Sequence, residues 1–108
     1  MPKKQELQSE PDKAGTSPYV LSLYVTGASP NSSRAITNLK AFLEKHLKNL
    51  YELQVVDLYQ QPQMAKSVDI IALPMLMREF PFPQLKMIGD MSNYERLLKL
   101  LNPVRQNP

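Results

Sequence analysis

The side chains best suited to chemistry are few in this chain: one histidine, no cysteine and ten acidic residues among 108. Without cysteine there is no disulfide, no thiolate nucleophile and no sulfur-rich zinc site. His46 stands between Lys45 and Leu47 in a stretch of helical pattern, a setting that suits a solvated side chain. Asp57, Asp69, Glu79 and Asp90 are dispersed and have no metal-ligand spacing, so neither a hydrolase site nor a metal site is indicated. No cofactor is implied. The thirteen lysines and arginines give a formal charge of only +3 and are scattered along the chain. That balance suits solubility or an acidic protein partner and gives little support to nucleic-acid binding.

The elements that would carry these residues begin after a polar start. Residues 1–17 hold charge, Gly15 and two prolines, and are expected to form a flexible tail. They lack the apolar stretch of a secretory signal, and no apolar run approaches the roughly 18 residues of a membrane span. A cytoplasmic protein is expected. Residues 18–102 read as one domain and 103–108 as a frayed end. Hydrophobic residues make up 43% of the chain, an ordinary share for a globular domain.

In the stretch 19–26, Leu21, Leu23 and Val25 share one face, while Val20, Ser22 and Tyr24 share the other. Both faces are largely apolar, which predicts a central strand covered on each side. Gly27 permits a tight turn, Ser29 suits a helix N-cap, and Pro30 suits the first helical position. Ile36, Leu39, Leu43 and Leu47 then form one apolar stripe, with Arg34, Lys40, Glu44 and Lys48 outside it. The helix should run to about Lys48. Residues 51–57 read as a second strand, with Leu53 and Val55 pointing the same way, and complete a right-handed βαβ unit.

The second half is less determined. Residues 61–68 start like a helix with Pro62 in its first turn, and 70–72 could extend it or open a strand. Leu73-Pro74 and Pro81-Phe82-Pro83 bracket the stretch 75–80. Residues 84–88 could form a short strand and Gly89-Asp90 a turn. Ser92 and Glu95 have the spacing of a capping box for a helix through Leu97, Leu98 and Leu101, stopping before Pro103.

Several of these fragments resemble the KaiB family. Tyr19-Val-Leu-Ser-Leu-Tyr-Val-Thr-Gly27, with Ser29-Pro-Asn-Ser32 and Arg34-Ala35, is similar to the opening of KaiB proteins. Val56-Asp57, Gln61-Pro-Gln63, Ala72-Leu-Pro74, Ile88-Gly-Asp90 and Ser92-Asn93 continue in one register without gaps to about Leu101. The resemblance implies an α/β, thioredoxin-related domain whose βαβ half is constant and whose C-terminal half has two arrangements. The ground state, βαββααβ, is a tetramer and is the order expected of the isolated chain. The alternative, βαβαββα, is thioredoxin-like and binds the ATPase ring of KaiC. The implied function is a non-enzymatic regulatory partner of a KaiC-like ATPase in circadian or stress-related timing, with a histidine kinase in possible competition. A homotetramer or dimer is expected.

The same resemblance places Gln61, Gln63, Arg78 and Lys86 on the surface facing the KaiC-like ring, the two cations meeting carboxylates there. It assigns Pro74, Pro81, Pro83, Gly89 and Asp90 to the change of arrangement. The isomers of an X-Pro bond differ by only about 0.5–1 kcal/mol, so these prolines could distinguish two packings or merely shape a rigid loop. The chain also departs from clock members. Glu52 and Gln54 stand where they have small and basic residues facing KaiA, which makes KaiA binding doubtful. Asp69 reverses the charge of a family lysine, and Leu100, Asn102 and Arg105 replace glycine, aspartate and tyrosine. These departures fit a divergent paralogue with its own KaiC-like partner. A thioredoxin-like oxidoreductase would need a cysteine that is absent. The rival reading is a non-switching, sensor-like adaptor for a histidine kinase or other signalling partner.

Overall fold

The computed structural model describes residues 19–101; the expected tail and frayed end, with Asn102 and Arg105, lie outside them. Strand β1 (Tyr19–Val25) is followed by helix α1 (Pro30–His46) and strand β2 (Tyr51–Asp57). A 3-10 turn (Pro62–Lys66) leads to β3 (Met75–Phe80), β4 (Leu85–Ile88) and helix α2 (Tyr94–Leu101). The strands form one sheet in the order β2-β1-β3-β4. β1 and β2 are parallel, and the other pairs are antiparallel.

The central position expected of β1 is observed, and both its faces are covered. Leu21, Leu23 and Val25 face the two helices, together with Ala35, Leu39, Phe42 and Leu43 from α1 and Leu97, Leu100 and Leu101 from α2. Each leucine, valine or phenylalanine among them contributes about 1.5–3 kcal/mol by leaving water. α1 starts where its residues require: the Ser29 hydroxyl accepts the Ser32 amide at 3.1 Å, and Pro30 occupies the first turn. It ends at His46, and the Leu47 amide donates to the Leu43 carbonyl at 2.7 Å. His46 is therefore the last helical residue, not a mid-helix one. Its ring packs 4.5 Å from Phe42, and its Nε2 contacts the Tyr94 hydroxyl, so it links α1 to α2 instead of being fully solvated.

The fold is mixed α/β and thioredoxin-like, as expected, but the βαββααβ order expected of the isolated chain is not the one adopted. The order corresponds to βαβαββα with its middle helix reduced to a 3-10 turn. The C-terminal segment explains the choice. Leu97, Leu100 and Leu101 recur at helical spacing and are all buried, whereas a strand would turn neighbouring Leu100 and Leu101 to opposite faces. β3 meanwhile completes the burial of β1 through the pairs Leu23–Leu76 and Tyr24–Met75. The helix expected over 61–68 lacks a side-chain cap at Gln61, and Pro62 brings no amide donor.

The α2 cap also differs from expectation. Asn93, not Ser92, occupies it: its Oδ1 accepts the Arg96 amide and its carbonyl accepts the Leu97 amide, both at 3.1 Å. The Ser92 amide donates instead to Asp90 Oδ1 at 3.1 Å, after Met91 takes a left-handed φ of 64°. Opposite the helices, the second sheet face is covered only by the stretch 58–74. There Leu58, Met64, Val68, Ile70 and Leu73 pack on Tyr24, Val56, Met75 and Met77. No helix among the described residues is long and apolar enough to cross a membrane.

Candidate partner-binding surface

The turn from β1 into α1 is fastened by Asp57 at the end of β2. Its Oδ1 accepts the amides of Gly27 and Tyr59, each at 2.9 Å. Gly27 has a φ of 57°, and a Cβ there would lie 3.0 Å from the Tyr59 ring. The turn delivers Ser29 and Ser32 side by side at the start of α1, with the Ser29 hydroxyl donating to the Ser32 oxygen at 2.9 Å. Beside them is a groove of about 400 Å³ lined by Thr26, Pro30, Asn31, Leu73 and Pro74. Cysteines three residues apart at a helix N-terminus would form a reactive dithiol there. Two hydroxyls cannot exchange electrons with a disulfide. Among the described residues no group of acids or histidine is placed to hold a metal ion.

The residues expected to face a partner do not share one surface. Arg78 is 7% exposed and lies beneath α2, where Nη1 donates to the Leu100 carbonyl at 2.6 Å and Nη2 to the Pro83 carbonyl at 2.9 Å. Its register opposite Leu21 and Leu85 turns it to the helix face. It therefore cannot meet carboxylates of a partner in this arrangement. Lys86 is on the opposite face, 26% exposed, and donates to the Asp69 carbonyl at 2.8 Å. The Asp69 carboxylate lies 3.9 Å from the same ammonium, so the reversed charge is met within the chain. Gln61 and Gln63 are exposed at the 3-10 turn. Lys86, Gln61 and Gln63 thus belong to the 58–74 side, and Arg78 does not.

Pro74 is buried, and its carbonyl accepts the Gly89 amide at 3.0 Å. The bonds preceding Pro74, Pro81 and Pro83 are cis. Gly89 has a φ of 126°, open to glycine and strained for other residues. Asp90 ties the β4–α2 turn to α1, because its carboxylate meets Arg34 at 3.4 Å and its carbonyl accepts Asn38 Nδ2 at 2.9 Å. Hydrogen bonds from Ser92, then the Arg34 guanidinium, hold the Asp90 carboxyl below its ordinary range.

Other features carry no signal in local spacing. The Ser22 hydroxyl donates to the Glu79 carboxylate at 2.5 Å, across the β1–β3 register shift. The pair borders a cleft of about 340 Å³ shared with Tyr24, Gln54, Met77 and Gln84. Burial pushes the Tyr24 phenol above its ordinary value and the Glu79 charge adds to this, while the Ser22 bond opposes it. Glu52 and Gln54 are exposed on β2, the edge strand. Tyr59, Ile71 and Phe82 project large apolar surfaces to solvent around the C-terminal half.

The four-stranded sheet, with a serine pair and no dithiol at the start of α1, defines a thioredoxin-like domain without thiol chemistry. Comparison with solved structures gives the same architecture. The N-terminal domain of Synechococcus elongatus SasA superposes with a TM-score of 0.66 at 23% identity, covering 93% of this chain and 96% of that one. The Drosophila melanogaster thioredoxin Deadhead gives 0.64 at 9% identity, covering 84% and 85%. The KaiB domain family profile matches residues 22–103. The circadian clock oscillator protein KaiB of Prochlorococcus marinus is 45% identical over 80 residues, spanning 74% of this chain and 75% of the relative. The Picosynechococcus protein of the same name is 48% identical over 80 residues, spanning 74% and 77%. The chain belongs to the KaiB family.

Proposed function

We propose that this chain is a non-enzymatic regulatory partner that binds a KaiC-like ATPase ring through its C-terminal half, in circadian or stress-related timing. The observation that carries the reading is the βαβαββα-type order, the arrangement that the family resemblance links to ring binding. The stretch 58–74 supplies the surface, with Gln61, Gln63 and the exposed Tyr59 and Ile71, and Lys86 adjoins it through Asp69. Arg78 acts within the fold. The same half has a second packing, βαββααβ, in which the chain associates as a tetramer or dimer. The exposed Phe80 and Phe82, whose rings meet edge to face at 5.5 Å, are apolar surface that such association would cover.

Size-exclusion chromatography of the full chain with its KaiC-like ATPase and ATP, after hours of incubation, tests the reading. Co-elution is expected, and substitutions at Gln61 and Gln63 should weaken it. A chain that ignores the ATPase at every concentration but is retained by a histidine kinase would be the non-switching adaptor instead.

A further inference from the structure

The sheet has a second edge, far in strand order from β2. β4 is the terminal strand beyond β3, so its outer backbone groups have no strand partner in the sheet. Unpaired edges accept another chain unless something blocks them. The natural guard would be Lys86, but its ammonium is turned toward the Asp69 carbonyl on the opposite face. Along this edge, a groove of about 270 Å³ runs between β4 and α2, floored by Leu85, Met87 and Leu100. Leu85 is 37% exposed, an apolar side chain open to solvent at the end of the strand.

The walls of the groove are cationic. Arg96 and Lys99 line it three residues apart on α2, exposed on the same side of the helix. Neither forms an ion pair among the described residues. Beneath them, the buried Arg78 guanidinium is met by two carbonyls and no carboxylate, and its Nε has no partner. Arg96 and Lys99 therefore line an apolar groove without an acid to balance them, and the third cation of the lining, Lys86, is met by Asp69. No aromatic ring lines the groove, so the stacking that single-stranded nucleic acid uses is missing.

We propose that the β4–α2 groove docks an extended acidic segment of a partner protein. The segment adds a strand to the outer edge of β4, seats an apolar side chain on Leu85 and Leu100, and sets carboxylates against Arg96 and Lys99. Main-chain pairing supplies affinity, and the cations select sign and speed the encounter. This surface shares only Lys86 with the one assigned to the ATPase ring, and its cations Arg96 and Lys99 lie outside the 58–74 stretch, so either assignment can fail alone.

The probe is a fluorescein-labelled octapeptide of alternating glutamate and valine, titrated into the full chain by anisotropy and mapped by amide NMR shifts. Binding should fall roughly tenfold or more in Arg96→Glu/Lys99→Glu and weaken with added salt. It should also fail for a peptide N-methylated at alternate residues. Shifts should concentrate at 85–88 and 96–100. If the double charge reversal disturbs the circular dichroism, Arg96→Gln/Lys99→Gln carries the test, because both side chains are exposed. No binding at millimolar peptide overturns the proposal, as do equal binding of a lysine–valine peptide and shifts confined to β2. Preferential binding of a single-stranded oligonucleotide, or a self-associated chain whose contact covers the groove, overturns it as well.

Discussion

Arg78 offers the sharpest test of what holds the C-terminal half in place. Its guanidinium joins the end of α2 to the β3–β4 turn through the Leu100 and Pro83 carbonyls, at 2.6 and 2.9 Å. Hydrogen bonds from a charged group contribute about 1.5–3 kcal/mol each. Arg78→Ala removes both and leaves buried acceptors dry, so the loss should be about 3–5 kcal/mol after the relief of an uncompensated buried charge. That is a large part of the roughly 5–15 kcal/mol that stabilises a domain. Arg78→Lys keeps the charge but can reach only one carbonyl, and should lose about half as much. Urea unfolding followed by circular dichroism gives the totals, and native-state hydrogen exchange at amides 97–101 locates them. If Arg78→Ala unfolds the chain outright, the lysine variant carries the comparison. An alanine variant within about 1 kcal/mol of wild type, or exchange that rises evenly across the molecule, would refute the latch.

The hydroxyl pair at the start of α1 makes a second prediction. Ser29→Cys/Ser32→Cys, once reduced to the dithiol, should reduce an artificial disulfide substrate that the wild-type chain leaves untouched, and close its own intramolecular disulfide in the exchange, counted by thiol titration. Gly27→Ala should cost about 1–3 kcal/mol in thermal or urea unfolding, because φ is 57° and the new Cβ meets Tyr59. Stability should also fall at high pH. The folded Tyr24 phenol holds its proton more tightly than in the unfolded chain, so its contribution is complete below the ordinary tyrosine range and fades as pH rises through it. Tyr51, raised by its hydrogen bond to Glu44, acts in the same direction. Tyr24→Phe/Tyr51→Phe should flatten this alkaline limb in unfolding measured across pH.

The N-terminal half was legible because its signals are local. A glycine turn, a serine cap, a proline at the first helical position and a stripe every three or four residues all require the same βαβ unit. β3 lacks such a code. Met75, Leu76 and Met77 are all buried, so their apolarity gives no alternation to show which face Arg78 takes. Residue type alone then favours a surface cation, and only pairing with β1 and β4 turns it beneath α2. The α2 cap failed for a related reason: Ser92-x-x-Glu95 and Asn93 offer competing caps one residue apart. Asp90 decides between them by taking the Ser92 amide. The Ser22–Glu79 bond joins residues 57 apart, beyond the reach of any local pattern.

These failures all fall within the C-terminal half or on its contacts with the front of the chain. β1 receives β2 through a short crossover that its own turns dictate. Its other neighbour, β3, arrives only after the stretch 58–74, which has one 3-10 turn and no fully buried residue before Pro74. Local preference therefore leaves the position of β3 open, and long-range contacts must choose it. Those contacts are the β1–β3 register, the leucines of α2, the Arg78 bridge and the links from Asp90 to Arg34 and Asn38. The proposed second packing would have to give up these same interactions, so it is at these residues that one arrangement can be favoured over the other. Changing them should alter the competence of the C-terminal half while leaving the βαβ unit intact. Changing the α1 stripe should unfold both arrangements alike.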